Sequence, residues 1–333
     1  MTTLRKLAAI HSLLIGSLVG HGVRLDDSPQ SKFIKNQTSL IFAAEASQWF
    51  ATEPKPGKWN FAGEIQQFDF SPLDELLTFS KKTDKKMLVS TGGYADYLLK
   101  LSPSDRRRAL IRHIRGMADY VEANKETIIA VNVFNEVFDQ DGRFKDPTFV
   151  KIGLWTGIGS GPGDYVRLAL RTGINNTTSA VFFLNDFAIE EVNKKSDGMF
   201  RFFSNLKKNG WDMSRLGIGM QCHLTIGRQN FESIRANVRR FKSLGIKVLF
   251  TELDVRIRID DGLTAEELKK QKDSFYNITR IAVEEGVLCI NMWGVKDPSW
   301  IERAFPGWGA ATIHDGNFEE KPAFNGLVQA LKS

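Results

Sequence analysis

Cysteine is scarce in this chain. There are two in 333 residues, Cys222 and Cys289. Both lie inside apolar runs, so a disulfide scaffold is excluded and buried free thiols are the expectation, with a bridge the minority reading and the redox compartment undecided. Histidine is nearly as rare, at five, and no His-Glu-x-x-His or paired-Cys spacing is present. His223, Glu252 and Asp254 are the one set that resembles ligands, and no metal and no cofactor is expected. No stretch is long and apolar enough to span a bilayer. Arg5-Lys6 and the apolar residues to Val19 imitate a signal peptide, but His11 interrupts them and no clean cleavage site follows. They read instead as a helix from Leu4 to about Ile10 and a strand from Leu13 to Val19. Also missing are a Pro/Ser-rich linker, an internal repeat and a concentrated basic stripe. The net charge of +6 is scattered over Lys81, Lys82, Lys85, Lys86, Arg106 to Arg108, Arg239 and Arg240. That scatter argues against nucleic acid as a partner and leaves an acidic polysaccharide compatible.

What is present is a core-forming composition, 42% hydrophobic and 25% charged, which a folded domain needs. It is arranged as apolar runs that end in polar residues. Leu249-Phe-Thr-Glu-Leu-Asp-Val255 reads as a buried strand closing in two carboxylates, with Glu252 and Asp254 on one side by alternation. Ser39 to Glu45, Ile128 to Glu136, Val181 to Asp186, Leu216 to His223 and Val287 to Asp297 repeat the design. Lys86 to Ser90 is a further strand. Helices are expected at Pro72 to Ser80, from a Ser104 cap to about Val121, at Asp164 to about Ile174, within Glu190 to Asn209, around Phe231 to Ser243, and over Thr264 to Glu285. Eight strand-then-helix units without a linker predict a single (β/α)8 barrel over residues 1–333, whose active site lies where the strands end. Asn60 to Gln67 reads as loop. The Gly-rich stretch 157–163 follows no strand and contains Pro162, so it reads as a loop rather than a phosphate cradle.

Two acids on different strand ends, Glu136 and Glu252, form the sharpest pair. Glycosidic cleavage needs one carboxylic acid to protonate the leaving oxygen and a second carboxylate to attack or to activate water. Glu136 follows Asn135 and an apolar Val-Phe segment, whereas a donor near Glu252 would keep that group ionised. Gln221 and His223, two apart on an adjacent strand end, are placed to supply one. Taken singly, a strand-end Glu is as readily a loop anchor, and a lone Trp as readily core.

Asn135-Glu136, Gly219 to Leu224, Thr251 to Asp254 and Trp293 to Trp300 resemble glycoside hydrolase family 10, the retaining endo-β-1,4-xylanases. Ala51 to Pro54, Asn185-Asp-Phe187 and Asp315 to Phe324 follow the same order. The resemblance runs from Leu4 to Leu327. It implies Glu136 as general acid/base and Glu252 as nucleophile. Asn135 would hold the sugar 2-hydroxyl, His223 would bond the nucleophile with Gln221 beside it, and Asp254 would support the site. Glu45, Trp293 and Trp300 would bind sugar.

Departures accompany the match. After strand two the family's Asn and Lys stand as Ala46 and Trp49, and after strand three its His is absent from Val89 to Ala95, with Tyr94 in place of a Trp. Trp49, Tyr94 and Tyr97 are therefore either compensating sugar platforms or space-fillers, with Trp49 and Tyr94 counted among the substrate-binding candidates. The implied activity is double-displacement cleavage inside xylan by a monomer. Another β-glycan, short oligosaccharides, or a sugar-binding barrel without turnover remain the rival readings. An extracellular substrate implies secretion, although the N-terminus offers no convincing export signal and a cytoplasmic site stays open.

Overall fold

The structure, a computed structural model, describes residues 2–19, 27–55, 71–146, 153–155, 157–260 and 262–333. The loop expected at Asn60 to Gln67 lies outside them. Eight parallel strands form the centre: β1 (Leu14–Leu18), β2 (Leu40–Ala43), β3 (Lys86–Ser90), β4 (Ile128–Asn135), β5 (Val181–Asp186), β6 (Leu216–Met220), β7 (Lys247–Arg258) and β8 (Cys289–Met292). Each pairs with the next. Pairing of Leu14 with Cys289 and Ile15 with Ile290 closes the ring. The result is the (β/α)8 barrel expected from the alternation of apolar runs and amphipathic segments.

Period-two alternation divides the strand residues between two cores. Leu40, Phe42 and Ala44 point inward with Leu18, Leu88, Ala130, Phe183, Leu249 and Cys289. Ile41 and Ala43 point outward with Ile15, Met87, Val89 and Phe182, and the helices cover them. Strands buried on both faces have to be apolar throughout, which is why the sequence runs are continuous. Both cysteines are free and buried. Among the described residues no helix is long and apolar enough to cross a membrane.

Several element boundaries differ from expectation for local reasons. The helix Pro103–Ala123 is capped by Ser102, not Ser104: the Ser102 hydroxyl accepts from Asp105 N at 3.2 Å, and Pro103 takes the first turn where no donor is needed. The arm after β5 becomes helical only at Lys194, where Asn193 and Ser196 form a reciprocal cap. In the Gly-rich loop the Asp164 carboxylate accepts from Ser160 N at 2.9 Å and Gly161 N at 2.8 Å, so the helix it begins organises the loop itself. Strand β7 runs three residues beyond Val255, to Arg258, where Thr225 pairs with Arg256, Gly309 with Ile257 and Trp308 with Arg258.

Candidate active site

The strand ends open into a cleft of about 860 Å³ whose walls include Glu45, Asn135, Glu136, Gln221, His223, Glu252, Trp293 and Trp300. Two strand terminations bring the carboxylates into it. Glu136 is the residue after β4 and has φ 58°, a left-handed conformation that non-glycine residues seldom adopt, and its N–H donates to Asn185 O at 2.7 Å. Glu252 stays within β7, with its N–H on Gln221 O at 3.0 Å. Both are nearly buried, at 8% and 6% exposure.

Amide side chains join the two acids. Glu136 Oε1 accepts from Asn135 Nδ2 at 3.1 Å and Gln221 Nε2 at 3.0 Å. Asn135 Oδ1 accepts from Asn185 Nδ2 at 2.8 Å, and the same nitrogen donates to Glu252 Oε1 at 2.6 Å. Thr251 fixes the Asn185 amide by donating to Oδ1 at 2.5 Å. Gly219 lies against this amide, and any Cβ there would press into it. Asn185 is thus the bridge between the acids, a role that sequence reasoning missed. Its signal was available: it ends an apolar strand, as the other site residues do.

His223 and Gln221 diverge rather than flank one acid. Cys222 between them has φ 61°, turning Gln221 to Glu136 and His223 to Glu252. His223 Nε2 lies 3.2 Å from Glu252 Oε2, and Nδ1 lies 3.0 Å from Asp254 Oδ2. Burial opposes a charge on His223, but Asp254 and then Glu252 outweigh it and lift the imidazole pKa to about 10. His223 is therefore an imidazolium at neutral pH, donating from both nitrogens. Burial pushes the Glu252 carboxyl above the ordinary range, and the bonds from His223 and Asn185 offset part of that rise.

Trp300 donates from Nε1 to Asp254 Oδ2 at 2.7 Å, with its ring centroid 4.8 Å from that of His223. Trp293 approaches His223 edge-on at 6.4 Å and Phe42 at 5.9 Å. Trp49 is placed elsewhere. It is 1% exposed, stacked on His113 with centroids 3.8 Å apart, and donates to the Tyr97 hydroxyl at 3.3 Å. Helix Trp49–Thr52 turns its indole into the core and leaves Phe50, 49% exposed, on the cleft wall. Tyr94 is half-buried against the core and is not among the cleft-lining residues. Space-filling, one of the two readings of these aromatics, describes where Trp49 and Tyr94 lie.

A (β/α)8 barrel whose strand ends present two amide-linked carboxylates in a cleft lined by Trp293 and Trp300 defines the class: this is a glycoside hydrolase. Residues 3–330 match Glycosyl hydrolase family 10, and the chain belongs to that family. It is 29% identical over 313 residues to an endo-1,4-beta-xylanase of Agaricus bisporus, covering 91% of this chain and 87% of that protein. It is 25% identical over 338 residues to endo-1,4-beta-xylanase B of Thermotoga neapolitana, covering 99% and 91%. A glycosylated endo-beta-1,4-xylanase from Gloeophyllum trabeum superposes with a TM-score of 0.85 at 25% identity, covering 99% of each chain.

Proposed function

We propose that residues 1–333 form one catalytic domain, a retaining endo-β-1,4-xylanase that cleaves internal bonds of xylan by double displacement. The observation that carries this reading is the unequal bonding of the two acids. Glu252 receives a donor on each oxygen, Asn185 on Oε1 and His223 on Oε2, which suits an ionised nucleophile. Glu136 receives both of its donors on Oε1, leaving Oε2 without a partner among the described residues to carry a proton.

In the first step Glu252 attacks the anomeric carbon. The glycosidic C–O bond breaks as Glu136 protonates the departing oxygen, leaving a glycosyl ester on Glu252. In the second, Glu136 takes a proton from water, the water oxygen bonds to the anomeric carbon, and Glu252 departs as carboxylate. His223 holds Glu252 in place before attack and receives it again as an anion. Trp293 and Trp300 offer ring faces to pyranose C–H surfaces, and Asn135, bonded to both Glu136 and Asn185, is placed to meet the 2-hydroxyl of the sugar under attack.

The test is product analysis of the protein and its Glu252→Gln variant on xylan, mixed-linkage β-glucan, cellulose and mannan, with NMR of the first-formed anomer. Short xylo-oligosaccharides of retained configuration are expected from the unmodified protein alone. An inverted anomer, or xylan left intact, would overturn the reading.

A further inference from the structure

A second concentration of charge lies on the part of β7 that outruns the barrel. Trp308 pairs there opposite Arg258. Three guanidinium groups surround its indole: Arg256 at 5.3 Å from the ring centroid, Arg258 at 5.6 Å and Arg228 at 5.8 Å. Arg256 also lies 4.6 Å from the Phe305 ring. Like charges gathered on one side chain repel, and the ring faces offset only part of that cost. Asp260 neutralises Arg258 at 2.7 Å. Arg228 and Arg256 form no ion pair with any described residue.

Arg256 is fixed yet uncommitted. Its Nε donates to Thr225 Oγ1 at 2.9 Å, its guanidinium carbon lies over both the Phe305 and the Trp308 ring, and neither Nη1 nor Nη2 donates to a described residue. It lines the same cleft as Glu136 and Glu252, beside Leu224, Gln229 and Phe305. Half-burial and the nearby Arg228 both work against its charge, with Asp254 opposing them, so an incoming anion would relieve the pair. A guanidinium anchored through Nε and two ring contacts, with both terminal nitrogens free, is a preorganised fork for a carboxylate. Because the fork opens onto a cleft that takes a polysaccharide, the fitting anion is one that such a polymer carries.

We propose that this end of the cleft recognises a uronic acid unit of the β-glycan, its carboxylate received by Arg256 with Arg228 beside it. The proposal rests on the endo-acting reading above and names which substituted chains that site prefers. Its test compares xylo-oligosaccharides bearing a glucuronic acid branch with the same compounds after reduction of the carboxyl to an alcohol, which keeps the shape and removes the charge. At low salt kcat/KM is expected to favour the acid by about tenfold, the factor that one charge-assisted bidentate contact supplies. The preference shrinks as ionic strength rises. Arg256→Gln brings the ratio close to one, Arg256→Lys keeps part of it, and Arg228→Gln, an exposed change that the fold tolerates, lowers it in part. A ratio of one in the unmodified protein, or a ratio that Arg256→Gln leaves unchanged, overturns the proposal. Calorimetric binding of the same pair to Glu252→Gln separates the two readings. If xylan is not hydrolysed at all, the activity reading fails alone, while tighter binding of the acid still supports the carboxylate site and equal binding overturns it.

Discussion

Asn185 and Glu252 show how much of the chemistry rests on single hydrogen bonds. Burial raises the Glu252 carboxyl above its ordinary value of 4.5, with His223 and Asn185 holding it back. On the mechanism proposed above Glu252 is the nucleophile and must be ionised, so kcat/KM is expected to fall as pH drops through that raised value. The acid limb is therefore expected above the range of an exposed glutamate. Asn185→Ala removes one donor from Glu252 Oε1 and breaks the bridge to Asn135. It is expected to cut kcat by ~10- to ~100-fold, the worth of a hydrogen bond to a charged group, and to move the acid limb to higher pH. A rate loss with an unmoved limb would mean that Asn185 shapes the cleft without holding the charge. The residue scale is also where the sequence was least informative. A polar residue at a strand end marks the site, but nothing in the residue type says that Asn185 would bridge two acids. Nor does it say that Trp49 would stack on His113 while Phe50 lines the cleft.

At the scale of elements, the joint between β5 and helix Lys194–Lys208 sets one wall of the cleft. Lys195 and Asp186, both fully buried, pair at 2.6 Å. Lys195 Nζ also donates to Phe187 O at 2.9 Å and lies 3.6 Å from the centroid of the Phe187 ring, which lines the cleft. Burial lifts the Asp186 carboxyl to about 6 even with Lys195 and Phe138 N supporting the anion. Lys195→Met strands that carboxylate and is expected to cost about 3 to 5 kcal/mol in urea unfolding at pH 8. The double variant Asp186→Asn with Lys195→Met is expected to recover much of the loss, because no buried charge is left unpaired. Failure to recover would assign the cost to lost packing against Phe187. The sequence showed Asp186 ending a strand and a helical arm after it. It did not show that Lys195, written among charged neighbours as if on a solvated face, points inward. A helix of period 3.6 buries one stripe regardless of charge when a partner waits there.

For the whole molecule, the barrel was legible because its constraints are repetitive. Eight parallel strands covered on both faces must be apolar, must alternate with helices, and must end on one rim, and each demand writes a pattern tens of residues long. Boundaries and loops obey local bonds instead, which is why the cap moved to Ser102 and β7 outran its expected end at Val255. Function then feeds back on folding through His223. Its folded pKa of about 10 lies above the unfolded value of about 6.5. A base so raised contributes stability that is fully present below the unfolded value and is lost as pH rises through the folded one. The window of loss therefore runs from about pH 6.5 to about pH 10. His223→Gln cannot make this contribution, so thermal unfolding should find the unmodified protein more stable than the variant near pH 6, with the difference in Tm closing toward pH 10. A difference that stays constant across that window would mean that His223 is neutral in the folded protein. Glu252 would then be held by a single uncharged donor on that side.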